Sequence, residues 1–366
     1  MIVIEEGLPI QIENDKKKNT MASRKDFRRL YDEAFGTTRR HDEWFVNEIC
    51  RAADIRTLEV DGTTVSTLLA QPYDVSFYGH ELRGRYLSCV TTATRERGRG
   101  YMSRLLQRTI AESASRGDAF AMLIPATRRL YSYYEKFGFA SAFYVDEQRY
   151  TSEHKFAIAA GYTPTEPSYE MFAKLENSGC CVVKHSRSDF EHVLCDLQLD
   201  GGAAVAVAGP SGSQAMAFAT VDDTATVRAL PATDAVAAEA ALGVLRAKIG
   251  ERPMVVWGAP GCKVSGLRAR GMIRIVNVAK VLETISATNP QIAMAIRVHD
   301  SIVESNNAVF RLSHGQCQVE PYGTNTKGVE LNVRVDVLAM VLFSAPCVAS
   351  AFDLPGCRPR MMLMLD

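Results

Sequence analysis

Residues 87–102 read LSCVTTATRERGRGYM. This stretch predicts a strand ending near Val90, a turn punctuated by Gly98 and Gly100, and a helix from Tyr101. Glycine lets the chain turn tightly and lets backbone N–H groups approach a ligand. A helix start adds unpaired N–H groups and about half a positive charge, so such a turn suits a pyrophosphate. Arg95, Arg97, Arg99, Arg104 and Arg108 gather cationic charge around it, opposed within the stretch only by Glu96. The helix that follows, over 101–115, carries Met102, Leu105, Leu106, Ile110 and Ala114 on one face.

Two readings compete for this turn. Gly98-x-Gly100-x-x-Ser103 approximates a dinucleotide-binding fingerprint, with Asp118 at a distance suited to a ribose. The third glycine is missing, and antiparallel-type strands precede the motif where a first βαβ strand is needed. The other reading is Arg-x-x-Gly-x-Gly over Arg95–Gly100, which resembles the acyl-CoA pyrophosphate loop of the GNAT superfamily of N-acetyltransferases.

Flanking elements fit that resemblance in order and spacing. Helical patterns cover 23–35 and 43–52. Strands are expected at 55–60, 63–70 and 86–90, with Asp61-Gly62 as the hairpin turn. After the long helix come a strand at 119–124, a helix at 128–137 and a strand at 139–145. The segment Tyr134-Glu-Lys-Phe-Gly-Phe139 is similar to the Tyr-x-x-x-Gly-Phe segment of the superfamily. Strand and helix patterns then recur over 215–257 without an Arg-x-x-Gly-x-Gly. The last part opens on MIRIVNVAKVLETI and continues with period-2 strands at 292–298, 308–312, 316–320 and 329–335 and a helix near 336–343.

A chain of 366 residues exceeds what one such domain needs. The whole resembles the three-part enhanced-intracellular-survival (Eis) type of acetyltransferase. That resemblance implies an α/β (α+β) chain of tandem GNAT folds followed by a sterol-carrier-protein-like α+β domain. The expected division is a catalytic domain over 1–150, a degenerate GNAT-like domain over 151–270 and the terminal domain over 271–366.

The resemblance also implies the chemistry: acetyl-CoA as co-substrate, a small-molecule or peptide amine as acceptor, and a homo-oligomer, trimer or hexamer. Ser88, Cys89 and Val90 would hold the pantetheine arm and thioester carbonyl. Arg95, Glu96, Arg97, Gly98, Arg99, Gly100 and Tyr101 would cradle the pyrophosphate. Tyr134 matches the general acid, with Tyr133 the neighbour most easily confused with it. The chain's terminal carboxylate, at Asp366, would be the base, and the Asp366 side chain offers a second carboxylate for that role. Cys89 invites an acyl-cysteine route, but with no histidine partner in view a structural thiol is preferred. On the first two helices Phe27, Phe35, Trp44, Asp32 and Glu33 are candidates for the acceptor cleft. The alternative to an enzyme is a non-catalytic acyl-CoA- or lipid-binding scaffold.

Composition sets the remaining bounds. Lys+Arg and Asp+Glu both number 42, so bulk charge excludes a polyanion or nucleic-acid binder. No apolar run is long enough to span a bilayer, and the first twenty residues lack a signal-peptide core. Nine cysteines without a CxxC pair, two of them adjacent at Cys180 and Cys181, point to reduced thiols and a cytoplasmic setting. Seven histidines without ligand spacing predict no metal site.

Overall fold

The structure is a computed structural model that describes residues 19–36, 39–259, 267–321 and 328–365. Helices α1 (Asn19–Ala34) and α2 (Arg39–Trp44), the latter running into a π-helical turn Phe45–Ile49, precede a meander of β1 (Ile55–Val60), β2 (Thr63–Phe77) and β3 (His80–Thr92). Both β2 and β3 run well beyond the strands expected from sequence. Asp74, Arg83 and Arg85 break the apolar pattern there, yet the two strands stay paired down to Phe77 and His80. Next come α3 (Tyr101–Ser115), β4 (Phe120–Leu123), α4 (Arg128–Glu135) and β5 (Ala140–Tyr150).

The middle of the chain adds β6 (Thr163–Thr165), α5 (Tyr169–Glu176), β7 (Cys181–Lys184), α6 (Arg187–Leu199) and β8 (Ala203–Ala208). It continues through β9 (Gln214–Val221), β10 (Ala225–Ala229), α7 (Ala235–Ile249) and β11 (Met254–Gly258). Helix α7 buries Ala237, Ala240, Ala241 and Leu245, and these small side chains pack in one cluster with Val205, Val207, Ala215 and Ala217 of β8 and β9.

The last part comprises β12 (Leu267–Ile275), α8 (Val278–Thr288), β13 (Met294–His299), β14 (Ala308–Ser313), β15 (Gln316–Pro321), β16 (Leu331–Arg334), α9 (Val335–Leu342) and α10 (Pro346–Ala349). Among the described residues the strands form a twelve-stranded sheet and a four-stranded one, the latter ordered β15-β14-β13-β16. The large sheet runs β1-β2-β3-β4-β12-β5-β11-β10-β9-β8-β6, with β7 also on β2. Strand β12 thus sits between β4 and β5, and Met272, Ile273 and Ile275 are fully buried there. The division expected between residues 270 and 271 falls inside this strand.

β12 also brings Arg274 into the core. Its guanidinium makes a two-pronged contact with Asp300, at 2.6 and 2.7 Å, and donates to the Phe137 carbonyl at 2.6 Å. The Asp300 carboxylate accepts further bonds from the N–H groups of Ile302 and Val303 and from Asn306 Nδ2. Asn306 reaches the Val276 carbonyl and accepts from the Val278 N–H. Gly138, at φ +81°, lies against this guanidinium, and a Cβ there would overlap it.

The cysteine expectation is overturned at two positions. Cys180 and Cys357 form a disulfide with Cα atoms 5.8 Å apart. Adjacency excludes only a bond between Cys180 and Cys181, and it leaves Cys180 open to a residue 177 positions away. Cys50 and Cys181 are buried outside any disulfide, and burial pushes both thiols up.

Removing one member of a buried ion pair leaves the other charge uncompensated, which costs about 3–5 kcal/mol. Arg274→Ala is therefore expected to lower stability by about that amount, read from the urea midpoint. Arg149→Ala, which breaks an exposed pair with Glu147, should cost no more than about 1 kcal/mol.

Candidate active site

The parallel pairing of β3 with β4 covers Gly84–Tyr86 against Phe120–Met122 and then stops, while β3 continues to Thr92. The two strands splay at Leu87. On its other edge β3 bulges: Ser88 faces Leu69, but Thr91 faces Thr67. Cys89 takes a left-handed φ of +50° in this bulge. A bulge inserts residues, bends the strand and frees main-chain groups. Cys89 and Val90 are the residues so displaced, with Ser88 the paired residue just before them. Ser88 Oγ donates to Gln71 Oε1 at 3.2 Å, and Cys89 is buried in the cluster of Phe27, Tyr31 and Phe45.

Beyond the splay, Thr94–Glu96 form a single 3-10 turn and Gly100 stands at the N-cap of α3. Gly98 and Gly100 have φ of +81° and +78°, and a Cβ on either would meet nothing within 4 Å. The glycines are thus required by backbone conformation, and the space above them is open, which suits close approach of a diphosphate. Of the arginines, Arg97 donates to the Thr92 carbonyl at 3.2 Å, and Arg99 pairs with Glu96 at 3.0 Å. Arg108 donates to the Thr57 carbonyl, and Arg104 lies over the Tyr101 ring. Arg95 has no such tether among the described residues. Glu33 of α1 accepts from the Thr94 N–H at 2.6 Å, and its hydrogen bonds to Thr94 hold its carboxyl below the usual range. That residue, expected near the acceptor, instead ties α1 to the loop.

Tyr134, at the end of α4, is buried in one cluster with Leu87, Leu105, Leu106 and Phe139, against which Val90 and Met102 pack. Burial pushes its phenol well above the ordinary value. Tyr133 is half-buried and its hydroxyl lies 3.3 Å from Ser103 Oγ. The two neighbours are therefore distinguished by environment: Tyr134 turns inward toward the splay, and Tyr133 lies against α3. The N–H groups of Phe137 and Phe139 both reach the Tyr134 carbonyl, and Arg274 holds the Phe137 carbonyl.

On the other edge of β2, β1 pairs as far as Leu69 and β7 pairs from Asp74, leaving a gap between them. A cavity of about 450 Å³ opens here, lined by residues that include Arg51, Asp54, Gln71, Tyr73 and Leu365. The tail reaches it under tight control. Arg360 exchanges main-chain bonds with Cys181 and Val183, at 2.8 and 3.0 Å, and Leu363, Met364 and Leu365 are buried. Asp366 lies outside the described residues.

The fold that carries this splayed strand and glycine turn resembles that of known proteins. Residues 17–142 match the family model described as acetyltransferase (GNAT) domain. The chain carries a GNAT acetyltransferase domain. Its overall fold is GNAT-like and Eis-like. A GCN5-related N-acetyltransferase from Anabaena variabilis superposes with a TM-score of 0.71 at 16% identity, over 92% of each chain. A probable N-acyltransferase from Enterococcus faecalis gives 0.73 at 16% identity, over 92% of this chain and 91% of that one. Eis1 from Mycobacterium abscessus gives 0.68 at 14% identity, over 94% and 95%. No curated protein sequence matches this one. The protein is an enzyme of the acyltransferase class, and among its described residues no helix is long and apolar enough to cross a membrane.

Within this GNAT framework the dinucleotide reading of the turn fails on Asp118. That carboxylate is fully buried and accepts from Arg85 Nε at 2.7 Å and Ser113 Oγ at 2.8 Å, so it braces the sheet against α3 and faces no ribose. Of the aromatic cleft candidates, Phe27 is core, Phe35 is exposed, and Trp44 stacks edge-on with His192. Asp32 pairs with Arg28 on its own helix.

Two groupings escaped sequence reasoning because their members lie far apart in the chain. His41 Nε2 meets Asp196 Oδ1 at 3.0 Å, with Asp200 beside them. The buried His185 places Nδ1 2.7 Å from Glu176 Oε1, and its main-chain N–H donates to Glu176 Oε2. Burial alone would lower the His185 imidazole. The Glu176 hydrogen bond and charge outweigh it, with help from the Leu363 main chain, and the pKa ends above its ordinary value.

A raised histidine pKa contributes stability that is fully present below the unfolded value, about 6.5, and is lost as pH rises through the folded value. Thermal unfolding followed from pH 6 to 9 should therefore show a fall in Tm above about pH 6.5 that His185→Gln abolishes. An unchanged slope in the variant would remove this assignment.

Proposed function

We infer that the protein is an acetyl-CoA-dependent N-acetyltransferase acting on a primary amine by direct attack. The observation that carries this reading is the continuity of the splayed end of β3 with the Gly98–Gly100 turn, with Tyr134 packed against that same strand end. The acetyl thioester supplies the acyl group, as is general in this domain family.

Ser88, Cys89 and Val90 would offer main-chain groups to the pantetheine arm and to the carbonyl, polarising it where charge develops. The turn from Arg95 to Tyr101 would hold the diphosphate through its N–H groups and the α3 terminus, with Arg95 as the untethered cation. Tyr134 would protonate the departing thiolate. Its raised phenol pKa keeps the proton in place across neutral pH, and it can still be given to a developing thiolate in a dry site. The amine proton goes to the carboxylate at the chain terminus. Leu365, immediately before Asp366, lines the cavity on the acceptor side, which supports that route. Binding both reactants beside the splay converts a bimolecular encounter into a local one. The same domain would be expected to bind acyl-CoA without turnover in a scaffold, but nothing in the site favours that reading over catalysis.

Tyr134→Phe should lower kcat by about 10²–10⁴-fold with little change in acetyl-CoA affinity. A C-terminal extension of a few residues should lower kcat as well. CoA release over a panel of amines, with acetyl-CoA binding measured in parallel, reads both. Full activity in both variants would sink the mechanism.

A further inference from the structure

The Cys180–Cys357 disulfide stands where the chain end turns toward the cavity. Cys180 directly precedes β7, the strand that bounds the gap along β2, and Cys357 begins the segment that ends at the cavity residue Leu365. Tyr78, at the turn between β2 and β3, holds both partners' segments. Its N–H donates to the Cys180 carbonyl at 2.7 Å, and its hydroxyl donates to the Pro355 carbonyl at 3.2 Å.

Past the disulfide the tail has few polar anchors. Arg360 makes its two main-chain bonds to β7, and beyond it no main-chain to main-chain hydrogen bond holds 361–365 among the described residues. Burial takes over there. Met364 packs in one cluster with Phe77 and Cys181, while Leu363 and Leu365 pack in another with Phe27 and Phe45. Leu363 has a φ of +52°, a left-handed conformation that a leucine keeps only where its surroundings impose it. The last residues therefore follow a constrained path, and the point where the tail is tethered decides where that path leads.

The bond can be opened from one side. Cys180 is half-buried and Cys357 is fully buried, so an incoming thiolate meets the Cys180 sulfur. Cys181, next in the chain, does not compete, because burial pushes its thiol up and keeps it protonated.

We propose that the Cys180–Cys357 disulfide is a positioning tether for the chain end, and that its reduction by a dithiol switches acyl transfer down. This rests on the acyl-transfer reading, in which the chain end carries the base. The dithiol's thiolate attacks Cys180 Sγ, the S–S bond breaks, and Cys357 leaves as a thiolate that takes a proton. The second sulfur of the dithiol then closes on the first and frees Cys180 as a thiol. Two electrons and two protons pass to the protein, and the reductant ends as a cyclic disulfide. The donor site proposed above lies at the opposite end of β3 from the Tyr78 turn, so the step lost is proton removal from the amine.

The full chain is compared untreated, after dithiothreitol, and after reoxidation with oxidised glutathione. Alkylation and mass spectrometry report the state of Cys180 and Cys357. Acetylated product over the amine panel gives kcat, calorimetry gives acetyl-CoA affinity, and amide exchange at 360–365 is followed without substrate. Reduction should lower kcat by about 10–100-fold, as a misplaced base does, leave acetyl-CoA affinity unchanged and speed the exchange. Reoxidation should reverse all of this. Cys357→Ser should match the reduced enzyme and ignore dithiothreitol, and Cys347→Ser, at an exposed cysteine outside the disulfide, should behave as the parent. Circular dichroism checks that the variants fold, and reduction of the folded parent does not depend on them. Equal kcat or equal exchange in the two redox states overturns the proposal and leaves the enzyme reading intact, as does a loss confined to acetyl-CoA affinity. If acetyl-CoA binds and no amine is acetylated in either state, the acyl-transfer reading falls. The exchange comparison then supports or overturns the tether by itself.

Discussion

Arg274 and Asp300 meet in the interior, neither of them more than marginally exposed to solvent. Such a pair loses the hydration of both charges, and it persists only where geometry and added hydrogen bonds repay that loss. Here they do. Asp300 is wrapped by main-chain N–H groups and Asn306, while Arg274 spends its remaining reach on the Phe137 carbonyl. The contact joins three things: strand β12 of the large sheet, the turn between β13 and β14 of the small sheet, and the end of the Tyr134 helix. Gly138 is the condition for it, since a side chain at that position would occupy the guanidinium's place. The glycine of the Tyr-x-x-x-Gly-Phe segment thus serves a contact made by a residue more than a hundred positions away.

A second set of contacts governs the tail. The Cys180–Cys357 disulfide, the main-chain bonds of Arg360 and the burial of Leu363–Leu365 draw the chain end back across β7. Arg360 also donates to the Ser178 carbonyl at 2.7 Å. His185 and Glu176 sit beneath this path as a buried pair. Remote parts of the chain therefore brace both sides of the splay: β12 and Asp300 hold the end of the Tyr134 helix, and the returning chain end brings Leu365 to the cavity beside β2.

Local chemistry was legible in the sequence, and long-range pairing was not. The turn at 95–100 can be read because positive-φ glycines and a helix start leave a contiguous signature. Tyr134 could be told from Tyr133 by its spacing to Gly138 and Phe139. Strands at 308–313 and 316–321 follow period-2 alternation. By contrast, β2 and β3 extend past their apolar stretch because antiparallel pairing carries through Asp74 and Arg83. β12 looks like the start of a domain, and its place between β4 and β5 is a matter of topology that no local pattern encodes. The disulfide and the His185–Glu176 pair are both products of tertiary placement. Glu33 was noticed for its charge, and its partner, the Thr94 N–H, has no side-chain signature at all.

In the proposed mechanism the acyl donor lies at the splayed end of β3 and the glycine turn. Amide hydrogen exchange with and without CoA tests it directly. Protection should appear at residues 88–90 and 98–103, continuous through the first turn of α3, and leave the four-stranded sheet unchanged. Protection confined to other parts of the chain, or none at saturating CoA, would contradict it.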